Sequence, residues 1–169
     1  MASTKIELDP QSTGLVIVDM QVEGCERHGP GVKPVITNIR RLLDRFRAVH
    51  GKIIHVQSVR TKDHPEFTVF GRPYGLLLAS PGADFVEELR PVAGEEIVQK
   101  TSHDCFYKTS MEAVLKKLQL RPCRDRIVVT RRSRHGWSAH VRRGVRRTRG
   151  LRVPHPAATG RPRERSRRR

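Results

Sequence analysis

Leu15-Val16-Ile17-Val18-Asp19 is the stretch on which the fold turns. It has four apolar residues in a row, three of them β-branched, and no polar face. Such a run reads as a strand buried on both sides, as in a parallel sheet, ending at an acidic residue. The chain on either side fits that reading. Pro34 stands where a helix can begin. Val35, Ile36, Ile39, Leu42, Leu43, Phe46 and Val49 then recur at helical spacing, opposite Arg40, Arg41, Asp44, Arg45 and Arg47. Gly51 ends that helix, and Lys52-Ile53-Ile54-His55-Val56 follows as a second strand. Glu96-Ile97-Val98-Gln99 reads as a third strand and Arg126-Ile127-Val128-Val129-Thr130 as a fourth.

The connections are less regular. Residues 58–80 read as loop, because Pro65, Gly71, Pro73 and Gly75 break any period. Ser80-Pro81-Gly82 opens a short helical stretch through Phe85, Val86 and Leu89, closed by Pro91. Thr109-Ser110-Met111-Glu112 has capping-box spacing, and Met111, Val114, Leu115 and Leu118 supply the apolar face of the helix after it. Strand–helix alternation of this kind predicts an α/β fold: a three-layer α/β/α arrangement around a mainly parallel sheet with right-handed crossovers. Sheets of that kind hold their sites at the carboxyl ends of the strands. Asp19, Lys100 and the chain after Thr130 are thereby expected at one edge of the sheet.

Length and composition set the outer limits. A chain of 169 residues suits a single domain with a sizeable core. Its formal net charge of +17 is unevenly distributed. Residues 131–169 hold 15 arginines, no lysine and one acid, Glu164, for a net +14, whereas the first 130 residues carry only +3. The chain therefore divides at Thr130 into a globular part, 1–130, and an Arg-rich segment, 131–169. No apolar run approaches the roughly 18 residues of a membrane span. Met1 to Pro10 lacks the basic and apolar regions of a secretory signal. Cys25, Cys105 and Cys123 are widely spaced, with no CxxC pair. They suggest neither a disulfide framework nor a zinc site and suit a reducing cytosol, so a cytoplasmic location is expected.

Leu15 to Gln21 resembles the opening strand of the isochorismatase-like cysteine hydrolases. A longer match carries the resemblance further. It comprises Ser80-Pro81-Gly82-Ala83 with Glu87 and Leu89, then Val98-Gln99-Lys100, Phe106 six residues beyond the lysine, and Thr109, Met111-Glu112, Val114-Leu115. It closes with Ile127-Val128-Val129-Thr130. It covers residues 12–130. It implies an active site of Asp, Lys and Cys, of which the first two map onto Asp19 and Lys100. In the family's amidases the carboxylate takes the proton of the thiol and delivers it to the leaving amine, while the lysine steadies the charge. In the isochorismatase-type members a vinyl ether is hydrolysed with the Asp as proton donor, and the thiol is dispensable. The resemblance further implies a small-molecule substrate and association of copies through the helical faces. Gln21 and Phe106, which lie within the matched motifs, are candidate substrate-binding residues.

Other residues read more plainly. Phe67, Phe70 and Tyr74 on the long loop are candidates to line a substrate pocket or to fill core gaps. His55, His64 and His103 lack ligand spacing. Asp63-His64 resembles the metal-binding stretch of the nicotinamidase branch, but that branch's remaining histidines have no counterpart, so neither metal nor cofactor is expected. Cys105 and Cys123 read as passive thiols.

After Thr130 the family pattern stops. The family continues with a Gly-Val turn and the nucleophilic Cys, whereas this chain reads Arg131-Arg132-Ser133-Arg134-His135-Gly136-Trp137, and no Cys occurs beyond Cys123. Without that thiol the amidase route is expected to be inactive and the sheet incomplete at this end. Arginine codons of the form CGN become GNN when read one base later, which permits Gly-Val at positions 131 and 132. The Arg-rich segment is therefore expected to be a frameshifted translation. As written, it has too few large apolar residues to offset its ordering entropy and is expected to be disordered. The alternative function is binding of nucleic acid or an anionic surface through these arginines. It is the weaker reading, with only Trp137 as an aromatic partner and no recognised binding module.

Overall fold

The structure, a computed structural model, describes Asp9 and residues 12–120 in full and the backbone of residues 126–133 and 136–143. Five strands form one sheet: β1 (Thr13–Val18), β2 (Lys52–Ser58), β3 (Glu96–Lys100), β4 (Arg126–Ser133) and β5 (Gly136–Arg143). Their order across the sheet is β3-β2-β1-β4-β5. The first four strands are parallel, and β5 returns antiparallel to β4. β1 is central, in register with β2 (Leu15 beside Ile53) and with β4 (Leu15 beside Val128). Every residue of β1 is buried, as a strand covered on both faces requires.

The alternation of side chains along β1 divides the core in two. Leu15 and Ile17 join Ile53 on one face, under Ile36, Ile39, Leu43 and Phe46 of α2 (Lys33–Ala48). Val16 and Val18 join Ile54, Val56 and Val98 on the other, under Met111, Val114 and Leu115 of α4 (Met111–Lys117). These are the three expected layers. The apolar stripe of α2 is the one its sequence spacing predicts, with Arg40, Arg41, Asp44 and Arg45 exposed.

A polar bolt joins α2 to the sheet. His55 of β2 is fully buried and lies 2.8 Å from Glu95 Oε2 through its Nε2. Arg47 of α2 donates to both oxygens of Glu95, at 2.7 and 3.0 Å. Burial alone would raise the Glu95 pKa, but the Arg47 guanidinium, the Val92 N–H and His55 outweigh it and hold it below the usual carboxylate range. His55 is shifted down by burial, which its bond to Glu95 only partly offsets. Its Nδ1 is buried without a hydrogen-bond partner, and the ring stands edge-on to Phe85 with centroids 5.5 Å apart.

Several segments depart from the sequence pattern. The short helical stretch around Phe85 is instead two 3-10 turns, Pro81–Ala83 and Glu87–Leu89. Between them the backbone runs extended, because Val22 N–H donates to Asp84 O and Val86 N–H to Met20 O. These bonds tie the segment to the chain leaving β1, which a helix would not allow. α1 (Val22–Glu26) and α3 (Pro65–Thr68) are too short for periodicity to reveal. Thr109 does not form a capping box but uses its hydroxyl locally, accepting from Met111 N–H and donating to Cys105 O.

β4 continues three residues past Thr130, and the hairpin brings back β5. The expectation of disorder from residue 131 thus falls partly on this β backbone and otherwise on residues outside the described ones. Among the described residues no helix is long and apolar enough to cross a membrane.

Candidate active site

Strict alternation along β1 would send Asp19, the residue after Val18, toward α2. It goes the other way because Asp19 adopts a left-handed conformation, φ 58°, a region that Asp tolerates better than most residues. Its N–H still donates to Val56 O at 3.0 Å, so the turn begins within the ladder of the sheet. The turn aims the carboxylate at the face where Ser58 and Lys100 sit side by side, as paired residues of β2 and β3.

Lys100 Nζ lies 3.1 Å from Asp19 Oδ2. The lysine side chain is 3% exposed and the carboxylate 31%, so the ammonium is enclosed while the acid keeps an open side. Ser58 Oγ donates to the other oxygen, Oδ1, at 2.7 Å. Gln21 is fully buried behind them. Its Nε2 donates to Ser58 O and to Ala83 O, each at 2.7 Å, and its Oε1 accepts from Ser58 N–H at 2.9 Å. Asp19 and Lys100 are therefore brought together at one edge of the sheet, with Gln21 buried behind them. The amide of Gln21 is engaged with backbone rather than facing open space.

The three phenylalanines lie on connections that leave the same edge, Phe67 within α3 and the other two in loops. The loop after β2 is tied to the end of β3 by His64, whose Nε2 is 3.0 Å from Thr101 O. Phe67, in α3, is half-buried and edge-on to Tyr74 with centroids 4.9 Å apart. Phe70, two residues beyond the end of α3, is 70% exposed, and Phe106, on the loop after Lys100, is 45% exposed. No described hydrogen bond joins these loops' aromatic residues to Asp19.

Ser58 is the member of the site that the sequence reading missed. Its signal was the period of two along Ile54, Val56 and Ser58, which puts it on the face of Lys100 once β2 is extended by two residues. Arg60 was missed as well. It is buried, and its guanidinium pairs with Glu66 at 3.2 Å. Burial would raise Glu66, but Arg60, Arg72 and His64 together outweigh that and hold the carboxyl below its usual range.

The residues of the loop show no arrangement for a metal. Glu66 N–H donates to His64 Nδ1, and His64 Nε2 faces a carbonyl, so both ring nitrogens are engaged. Among the described residues no group of three or more His, Cys, Asp or Glu comes together to hold a metal ion.

Comparison with known proteins bears on this geometry. Residues 13–130 match the isochorismatase domain family. The chain is 31% identical over 144 residues to the ureidoacrylate amidohydrolase RutB of Agrobacterium fabrum, covering 69% of this chain and 63% of that protein. It is 30% identical over 133 residues to a secreted isochorismatase effector of Verticillium dahliae, covering 78% of this chain and 60% of that protein. Among solved structures, an isochorismatase-like hydrolase from Alkaliphilus metalliredigens superposes with a TM-score of 0.61 at 25% identity, covering 70% of this chain and 66% of the other. An N-carbamoylsarcosine amidase from Thermoplasma acidophilum shares the fold, with a TM-score of 0.60 at 24% identity and the same coverage of both chains. The chain spans less than two thirds of these relatives' length. The alternative of nucleic-acid binding through the Arg-rich segment finds no support in them, and its side chains lie outside the described residues.

Proposed function

The chain belongs to the isochorismatase family, and from that footing we propose that it hydrolyses a small molecule by moving a proton through Asp19, with Lys100 as its charge partner. The observation that carries this reading is the 3.1 Å contact between Asp19 Oδ2 and the enclosed Lys100 ammonium. A lysine is rarely buried so completely without a partner, because removing its charge from water is costly. A carboxylate and an ammonium held together in a cleft, with the carboxylate open on one side, suit proton transfer to a bound substrate.

Two routes use this pair. In amide hydrolysis the carboxylate accepts a proton from the attacking nucleophile and returns it to the leaving amine, while the ammonium stabilises the charge. The ureidoacrylate amidohydrolases among the relatives make a ureido amide the first substrate class to consider. Vinyl ether hydrolysis needs only a proton donor and water. It is favoured by the cysteine inventory: Cys25, Cys105 and Cys123 all lie within the matched residues 13–130, and none stands after the last matched strand, where the family's nucleophile belongs. Phe67, Phe70 and Phe106 are read as flanking the substrate, and Gln21 as acting on it only through the backbone it holds. The same reading assigns the protein to the cytoplasm and expects copies to associate through their helical faces.

The test is to incubate the full chain with a ureido acid and, separately, with a vinyl ether, following ammonia and carbonyl product respectively. Turnover of either that is lost in Lys100→Met supports the reading. Turnover unaffected by that change contradicts it.

A further inference from the structure

We propose that Ser58 is a positioning residue for Asp19, fixing the carboxylate in the plane from which it exchanges its proton. This rests on the reading of Asp19 as the proton-transfer group. The two oxygens of Asp19 are held from two different strands: Oδ1 by Ser58 Oγ of β2 at 2.7 Å, and Oδ2 by Lys100 Nζ of β3 at 3.1 Å. The last torsion of an aspartate is broad and nearly two-fold, so one partner alone leaves the carboxylate free to turn. Two partners on adjacent strands remove that freedom. A carboxylate offers about four acceptor directions, and with one on each oxygen occupied the remaining directions are fixed toward the open side.

Ser58 is itself held rigidly. Gln21 binds both its N–H and its carbonyl, and the next residue, Val59, donates its N–H to Lys100 O at 2.9 Å. Gln21 thereby continues the ladder of the sheet with a side chain, at the point where β1 has already turned away. The serine is 4% exposed, so its hydroxyl serves Asp19 and is not presented to a substrate. Four groups from three strand ends, Gln21, Ser58, Lys100 and Asp19, form one connected unit in which the serine relays the sheet's rigidity to the acid.

The test compares the full chain with Ser58→Ala and Ser58→Thr. On a substrate that the wild type turns over, Ser58→Ala lowers kcat about tenfold to a hundredfold and leaves KM nearly unchanged, because the acid is misplaced rather than the substrate. Ser58→Thr keeps the hydroxyl and restores most of kcat. A serine needed only for folding would instead lower thermal stability without this split or rescue. A second readout needs no turnover: the Ser58 hydroxyl proton is expected to exchange slowly with water by NMR, and to be lost into the water signal in Asp19→Ala. If turnover depends on Asp19 but kcat survives Ser58→Ala, the proposal for Ser58 is overturned and the reading of Asp19 stands. If the wild type turns nothing over, that reading fails and the hydroxyl signal decides. A slow signal dependent on Asp19 supports the positioning contact, and its absence overturns it.

Discussion

Asp19 and Lys100 are 81 residues apart in sequence and 3.1 Å apart in space, and a single left-handed residue makes the contact possible. Without the positive φ at Asp19, the alternation of β1 would point its carboxylate into the apolar layer under α2. An unpaired carboxylate there would face Leu15 and Ile17, and Lys100 would be buried without a partner, an arrangement costing several kcal/mol. The turn therefore serves the fold and the site together.

Gln21 tests the frame that holds this pair. Gln21→Leu keeps the size and apolar contacts but removes the side-chain partner of Ser58 N–H and Ser58 O, while Ala83 O keeps Gln57 Nε2 at 2.8 Å. A loss of about 3 kcal/mol is expected, since unsatisfied buried groups cost more than a made hydrogen bond contributes. Urea unfolding measures it. A loss well under 1 kcal/mol would mean, on the same principle, that water reaches these groups.

Acid sensitivity follows from His55. Its folded pKa is lowered from 6.5 by burial, so below pH 6.5 the unfolded chain binds a proton that the native state refuses. Stability must then fall as pH drops through that window. Glu95 has the same sign at lower pH. Its carboxyl is held below 4.5 in the fold, so its contribution is present above pH 4.5 and lost as pH falls further. His55→Gln keeps an N–H for Glu95 and removes the titration. Denaturation midpoints at about pH 7.5 and about pH 5.5 should differ in the wild type and converge in this variant. An equal drop in both would assign the effect to other groups.

The core under α2 gives a control of known scale. Leu43 is fully buried among Leu15, Ile17 and Phe46. Leu43→Ala should cost about 3 kcal/mol through lost transfer energy and a residual cavity. Arg41→Ala, on the exposed side of the same helix, should change stability by less than about 0.5 kcal/mol. Equilibrium unfolding of both variants checks the orientation of α2.

The Arg-rich segment makes a prediction about the gene. If residues 131–169 are read out of frame, the codons at 131 and 132 have the form CGN and yield Gly-Val when read one base later. Sequencing across the Thr130 codon in independent isolates should reveal the shifted base. The same intact arginine frame in every isolate would refute the idea.

Much of this architecture was legible in the sequence because its determinants are local. β1 to β4 announced themselves as β-branched runs, and α2 as a period of 3.6 with one charged face. Asp19 and Lys100 could be placed because both sit at strand ends, where a parallel sheet gathers its polar groups. Ser58 was hidden because the apolar run of β2 fades at Gln57, one residue before the strand ends. The region around Phe85 misled for a different reason: Pro81 and Gly82 are good helix openers, but long-range bonds to Met20 and Val22 decided its backbone. Where tertiary hydrogen bonds overrule local preference, as there and at Gln21, no single-residue pattern carries the information. The types of Phe67, Phe70 and Phe106 suggested a pocket, but their placement depends on how the loops fold back, and that is set by contacts such as His64 to Thr101.

The central claim is that Asp19 moves the proton, and the kcat of Asp19→Asn on the substrate turned over by the wild type tests it most directly. Asparagine keeps the shape and can still meet Ser58, but it can neither accept nor donate the proton in question. The expected result is a loss of about a hundredfold to ten-thousandfold in kcat with the fold retained. A folded Asp19→Asn protein that turns over at the wild-type rate would contradict the account.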